Sequence, residues 1–244
     1  MRLGLAAGRV YGCEGSGTGD RDARGAGRGV SSGYRAYGYP RWLKVAFWIC
    51  VVIAVAVVLR RMAVLANPTQ GGSSPTAALD AVFASHAALT LAHILPAMAF
   101  VLLSPFVLLQ RSGAVWAERL FFPLGVWVGV TAYAMSAHPV GGWVERSAVL
   151  LFNSFFLFSL GRAFVAARRG EALEKMRWML RSVAILLGIA TTRPVMGVFF
   201  ATSRLTHLEP GQFFGIAFWI GFSINTIAME LWLRSRGDRL PVAG

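Results

Sequence analysis

The chain has few charged residues, and its acidic residues and cysteines are scarcer still. Charged residues make up 14% of the 244 positions, against about 25% in a typical globular domain. Because 56% of the residues are apolar, an ordinary soluble domain is excluded. The two cysteines, Cys13 and Cys50, are far apart in the sequence. This excludes a disulfide framework and any CxxC metal or redox motif.

Positive charge, by contrast, is in excess. The chain has 24 Lys and Arg residues against 11 Asp and Glu, which gives a formal net charge of +13. A nucleic-acid binder needs this charge on a wetted surface, and most of the chain is too apolar to form one. We therefore expect no nucleic-acid partner and interpret the basic residues as a membrane topology signal.

Six apolar runs account for most of the chain, and each approaches the roughly 20 residues that cross a bilayer as a helix. They are Leu43–Leu59, Ala81–Leu109, Leu120–Ala137, Ala148–Ala167, Trp178–Ala201 and Phe213–Leu233. The runs do not alternate apolar with polar residues, as the strands of a membrane barrel do. The pattern predicts an all-α, polytopic membrane protein, a six-helix transmembrane bundle in contact with the lipid bilayer.

The distribution of Lys and Arg predicts the orientation of this bundle. With the N-terminus inside, 19 of these residues fall on the inner side and four on the outer side. Both termini are therefore expected to be cytoplasmic, in the inner (cytoplasmic) membrane. Residues 1–40 are rich in Gly, Arg and Tyr and are expected to form a disordered tail. The transmembrane domain is expected over 41–236, with a short C-terminal tail over 237–244.

A few polar residues within the apolar runs suggest contacts between helices. The glycines of Gly125-Val-Trp-Val-Gly129 permit close helix packing. Arg162 and Glu230, near the inner ends of two runs, are candidates for an ion pair. Asn153 and Asn225 are candidates for hydrogen bonds that bridge helices.

Arg193 is the strongest candidate for a functional group inside the membrane, where a charge costs about 2.5–3.5 kcal/mol on insertion scales. It lies 15 residues after Trp178, or about 22 Å along a helix, in the outer half of the fifth run. One interpretation is structural: the guanidinium extends to the interface or binds carbonyls freed by Pro194. The other is that it binds an anion, a propionate or a carboxylate.

Two histidines of the second run, His86 and His93, form the second candidate site. They lie on nearly one helix face, about 10.5 Å apart along the axis, so a single haem iron cannot take both. Several other polar residues fall on the same predicted outer side: His138, His207, Asp80, Glu145 and Glu209. A metal, haem or proton-handling site is the functional hypothesis, and ordinary polar loops are the alternative.

A b-type haem would need axial nitrogens from two facing helices. Only His86 with His138 or His207, and Arg193 for a propionate, would suit it. We predict that the chain binds no stoichiometric b-type haem. No serine triad, phosphate loop, HExxH motif or metal-ligand spacing is present. Catalytic residues and metal ligands are therefore not assigned, and the cofactor stays unknown.

Several short segments carry a resemblance to a known family. They are Lys175-Met-Arg-Trp178-Met179-Leu-Arg181-Ser182, Thr191-Thr192-Arg193-Pro194, Ala92-His93-Ile94, Ser104-Pro105-Phe106 and the region of Arg119. Over roughly residues 80–201 the chain resembles the domain of unknown function 2306 family of predicted bacterial membrane proteins. The resemblance implies a helical membrane protein and no particular activity.

The chain departs from this family pattern at two places. Members usually carry a His-Arg pair before the helices of the third and fifth runs, where this chain has Glu118-Arg119 and Lys175-Met176. The resemblance implies that any redox or metal chemistry of those histidines is mostly lost here, with His93 and Arg193 as the matching polar positions that remain.

Three functions stay open from the sequence. The first is a non-catalytic membrane or assembly factor with a membrane protein partner or a homo-oligomeric form. The second is a small-molecule binder or transporter that uses Arg193 and the His86/His93 face. The third is a haem or quinone redox protein.

Overall fold

A computed structural model describes residues 39–66, 81, 83–109, 115–206 and 210–237. Six long helices occupy these ranges, and residues 83–85 add a helical turn before the second. The helices are α1 (Arg41–Ala66), α2 (Ala87–Leu109), α3 (Val115–Met135), α4 (Gly142–Arg169), α5 (Ala172–Thr206) and α6 (Pro210–Gly237). The predicted tails over 1–40 and 237–244 lie outside the described residues except for residues 39, 40 and 237.

Five of these helices, all but α3, are long and apolar enough to cross a membrane. The prediction of an all-helical, polytopic membrane protein is confirmed at that level. Most helices extend beyond the apolar runs that predicted them. The runs stop at charged residues, whereas the helices continue through those residues in their terminal turns. Helix α1, for example, continues through Arg60 and Arg61 to Ala66, and α5 begins at Ala172 rather than Trp178.

The second helix begins later than its apolar run. His86 lies at a turn directly before α2, so the prediction that it sits within one continuous helix with His93 is wrong. The turn is held in place by Thr90, whose hydroxyl donates to the carbonyl oxygen of Phe83 at 3.1 Å. The amide of Thr90 also donates to the His86 carbonyl at 2.9 Å.

Two prolines lie inside α2 without ending it. A proline has no N–H, so it leaves the carbonyl four residues earlier without its helical donor. Trp127 of α3 donates its indole N–H to the Ala92 carbonyl at 2.8 Å, which is the one that Pro96 frees. Ser104 donates to the Val101 carbonyl, freed by Pro105, at 2.7 Å. The side chains thus replace the missing bonds, and the Trp127 bond joins α3 to α2.

Close packing then brings the helices together. A Cβ atom added to Gly125 would lie 2.7 Å from Leu160 and 2.9 Å from Phe100, so the glycine permits α3 to approach both α4 and α2. Asn153 of α4 donates to the Gly129 carbonyl of α3 at 2.9 Å. Asn225 of α6 accepts a hydrogen bond from Thr191 of α5 at 2.7 Å. The predicted interhelical roles of the glycines and of both asparagines are confirmed.

Candidate functional site

A cavity of about 240 Å³ lies between the helices and is lined by residues from all six of them. Helices α1 and α3 contribute residues near their C-terminal ends, α5 contributes its middle, and α2, α4 and α6 contribute mainly their N-terminal halves. Neighbouring helices therefore run in opposite directions around it. We call this side of the bundle, where α1 and α3 end and α2, α4 and α6 begin, the cavity end.

The structure brings the three predicted site residues to this one cavity. His86, His93 and Arg193 all line it, and so does His138 from the segment between α3 and α4. The other residues predicted to gather here, His207, Asp80 and Glu209, lie outside the described residues.

His93 is oriented by a hydrogen bond to the neighbouring helix. Its Nδ1 lies 2.9 Å from the hydroxyl oxygen of Thr131. That hydroxyl donates its single hydrogen to the carbonyls of Trp127 and Val128, at 2.8 and 3.1 Å. When the hydroxyl donates to these carbonyls, Nδ1 of His93 is the donor to its oxygen.

His86 and His138 contact each other directly. Their ring centroids are 4.0 Å apart with an interplanar angle of 34°, and the Ser85 hydroxyl lies 3.0 Å from Nδ1 of His86. Two imidazoles on one haem iron stand on opposite sides of the porphyrin, with their nitrogens about 4 Å apart across the metal. Rings in direct contact leave no space for a porphyrin between them.

Arg193 reaches the cavity without a carboxylate partner among the described residues. Its Nε atom is buried and makes no hydrogen bond, and the contact of its Nη1 is a long one, 3.9 Å, to the sulfur of Met196. The alternative prediction, that the guanidinium binds carbonyls freed by Pro194, has no such bond in the described part of the chain. A buried N–H left without an acceptor costs about 1–3 kcal/mol, and more for a charged group.

Sequence reasoning overlooked Arg61 and Asn153 as residues of this site, whereas Glu145 was expected on this side of the bundle. Arg61 lines the cavity, is 9% exposed, and has its Cζ 4.1 Å from the centroid of the Phe83 ring. Glu145 accepts a hydrogen bond from the Gly141 amide at 2.7 Å. The signal for Arg61 was present, because Arg60-Arg61 lies on the predicted outer side, against the general charge distribution.

A family comparison covers most of this site. The family of predicted membrane proteins called DUF2306 matches residues 90–233. The chain belongs to this family. No curated protein and no solved structure matches the chain. The DUF2306 segment contains His93, His138, Glu145 and Arg193, whereas Arg61 and His86 come from the part of the chain that precedes it.

Glu118 and Lys175, at the positions where the resemblance implies histidines, lie together at the opposite side of the bundle. Lys175, near the start of α5, donates to both carboxylate oxygens of Glu118, near the start of α3, at 3.0 Å. The positions at which the resemblance led us to expect histidines are therefore joined by an ion pair in this DUF2306 member.

Other ion pairs lie at this same side, which we call the paired end: the side where α1, α3 and α5 begin and α2, α4 and α6 end. Glu230 accepts from Arg181 at 2.9 Å and from Arg234 at 3.2 Å. The predicted pair of Glu230 with Arg162 is therefore wrong. Arg162 instead lies with its Cζ 5.3 Å from the Trp178 ring centroid, and Arg181 lies 4.5 Å from the same ring.

The side chains at the cavity end are of kinds that bind anions. Within the described residues, no group of three or more His, Cys, Asp and Glu side chains is arranged to hold a metal ion. In the part of the chain that the structure describes, two guanidinium groups, three imidazoles and the carboxylate of Glu145 line the cavity. This set favours a ligand that accepts hydrogen bonds and carries negative charge.

Proposed function

We propose that this DUF2306 protein is a six-span protein of the inner membrane, with both termini cytoplasmic, that binds a small molecule in the cavity between its helices. The observation that carries the proposal is the buried Nε of Arg193, which lies in a cavity lined by all six helices and has no hydrogen-bond partner among the described residues. A buried, charged donor without an acceptor is retained at a cost to stability, which a binding role explains.

The cavity favours small-molecule binding over the two other functions open from the sequence. A purely structural role as an assembly factor does not explain why charged side chains line an internal cavity. A haem is disfavoured by the contact between His86 and His138 and by the volume of about 240 Å³. Drug-sized ligands occupy pockets of roughly 300–1,000 Å³, so this cavity suits a compact ligand.

The six-span arrangement rests on α3, whose packing resembles that of the other helices. It contributes Val128, Ala132 and Met135 to the cavity and packs closely on α2 and α4 at Gly125. A helix lying flat on the membrane surface would not share these neighbours. With α3 as a span, the α3–α4 connection is outside and the α4–α5 connection is inside.

Cysteine labelling in intact cells tests this topology. In a Cys13→Ser, Cys50→Ala background, a single cysteine at exposed Ala137 should react with a membrane-impermeant maleimide. A single cysteine at exposed Glu171 should react only after the cells are opened. The opposite pattern would contradict the proposal, because it would mean that α3 does not span or that the bundle is inverted.

Ligand binding is tested with compact amphiphiles on the detergent-purified protein. The cavity volume corresponds to about eight waters at about 30 Å³ each, so eight-carbon probes are appropriate: octanoate, 1-octanol and octylammonium, each below its micelle concentration. At least one probe should raise the thermal unfolding temperature of the wild type. The fillers Ala132→Phe and Ala97→Leu, both at residues that line the cavity, should abolish that rise. Equal rises in wild type and fillers, or none, would contradict binding in this cavity.

A further inference from the structure

We infer that the ligand is an amphipathic anion, with its charged head group on Arg193 and an apolar tail that extends toward the middle of the bundle. This inference rests on the proposed function and narrows it to one chemical class. The head group is a carboxylate or a phosphate, since both present the same anionic oxygens to a guanidinium.

The charges around the cavity favour an anion. Among the described residues that line it, Arg61 and Arg193 are the two guanidinium groups and Glu145 is the carboxylate. The Glu145 carboxylate already accepts a hydrogen bond from the Gly141 amide at the start of α4. A cationic ligand would meet the like charge of Arg193, and a neutral one would give that guanidinium no charged acceptor.

Arg193 supplies the geometry for the head group. A guanidinium is planar, is always charged and presents five N–H donors in a fixed fork that matches the oxygens of a carboxylate or phosphate. The Nε donor of Arg193 is buried and unbonded, and Nη1 has only the distant Met196 sulfur. An anion in the cavity would supply the missing acceptors.

The remainder of the cavity accommodates an apolar tail. Along α2 the lining residues extend from Leu89 to Val101, about 18 Å of helix. Apolar side chains from three other helices surround the inner part: Phe156 of α4, Ile185 of α5 and Phe222 of α6. Burying an apolar chain there gains roughly 0.8 kcal/mol per CH₂. The ligand is therefore expected to have both a charged end and an apolar end.

The test compares the affinities of four probes, read from their effect on the unfolding temperature: octanoate, octyl phosphate, 1-octanol and octylammonium. The wild type should bind the two anions more tightly than the alcohol and octylammonium weakest of all. Arg193→Gln should lower anion affinity by roughly 10- to 100-fold, as expected for hydrogen bonds to a charged group. It should change 1-octanol affinity by less than about threefold.

Arg146→Gln is the matched control, because Arg146 is exposed, lies at the same end of the bundle and does not line the cavity. It should leave all four affinities unchanged. Arg193→Lys, which keeps the charge without the fork, should fall between wild type and Arg193→Gln. A difference in affinity between octanoate and octyl phosphate would identify the head group that the cavity prefers.

Several outcomes would overturn this inference and leave the proposed function intact. One is that 1-octanol or octylammonium binds as tightly as the anions in a filler-sensitive way. Another is that Arg193→Gln and Arg146→Gln lower anion affinity equally. If Arg193→Gln does not fold, the ranking of probe affinities for the wild type and for Arg193→Lys still tests whether the ligand is an anion bound by Arg193. Failure of every probe would instead contradict the proposed function itself.

Discussion

The two ends of the helix bundle treat charge in opposite ways. At the paired end, Lys175 and Arg181 each contact a carboxylate from another helix, at 3.0 and 2.9 Å. At the cavity end, Arg193 contacts no carboxylate among the described residues, and its Nε atom has no acceptor. Cationic side chains thus join helices at one end, whereas at the other the Arg193 guanidinium is the group to which we assign the proposed ligand.

This difference has an energetic meaning. Ion pairs near a surface contribute about 0–1 kcal/mol each, because water and salt screen them. An unpaired cation in a buried cavity costs more than such pairs contribute. The paired end is therefore explained by local stability, whereas the cavity end needs a second explanation, which binding supplies.

The largest expected effect concerns the close packing of α6 on α4 at the cavity end. A Cβ atom added to Gly215 of α6 would lie 2.6 Å from the backbone nitrogen of Glu145, and backbone cannot move aside as a side chain can. Gly215→Ala should therefore destabilise the protein by about 1–3 kcal/mol, measured as a lower unfolding temperature. Gly161→Ala is the control, since nothing lies within 4 Å of its added Cβ. Equal effects of the two variants would contradict the close approach of α6 to α4.

Replacing an arginine by methionine should change the unfolding temperature in opposite directions at the two ends. Without ligand, Arg193→Met should raise the unfolding temperature, because it removes a buried donor that lacks an acceptor, worth about 1–2 kcal/mol. Arg181→Met should lower it, by about 1 kcal/mol or less, because it removes the interhelical partner of Glu230 and the contact with Trp178. Differential scanning fluorimetry in detergent measures both. A loss of stability in Arg193→Met would show that the guanidinium stabilises the fold after all.

The smallest effect is the coupling between the residues that replace the expected family histidines. The Lys175 side chain is 13% exposed and that of Glu118 is 32% exposed, so their pair should contribute about 0.5–1 kcal/mol. A double-mutant cycle with Lys175→Met and Glu118→Gln should give this coupling energy at low salt and a smaller one at high salt. A coupling energy of zero at low salt would mean that the contact is incidental.

Most of the fold followed from the apolar runs, since a segment that buries its backbone polar groups in lipid must be helical. The helix ends could not be predicted from the apolar runs. Charged turns, such as the one at Arg60 and Arg61, continue a helix past the apolar segment. The start of α2 was also misplaced. His86 is surrounded by helix-compatible residues, and its turn depends on the contact between Thr90 and Phe83.

The site could be predicted only in part. Arg193 and His93 were identified because charged or polar groups in an apolar run are costly wherever they lie. Their convergence with Arg61 and Glu145 depends on how four helices rotate about their own axes, which hydropathy does not encode. For the same reason Glu230 was assigned to Arg162, although Arg181 lies within hydrogen-bond distance.

The central claim is that the cavity at Arg193 binds an anion and lies on the side of the bundle that we propose to be outside. It is tested most directly by the reactivity of one cysteine with charged reagents. Met135 lines the cavity at the end of α3, and Met135→Cys in the background without Cys13 and Cys50 places a thiol there. In intact cells, an anionic methanethiosulfonate should modify it roughly tenfold faster or more than a cationic one, because a charged cleft concentrates counter-ions. Arg193→Gln should reduce that ratio, and octanoate should slow the reaction. Faster modification by the cationic reagent, or modification only from the cytoplasmic side, would contradict the account.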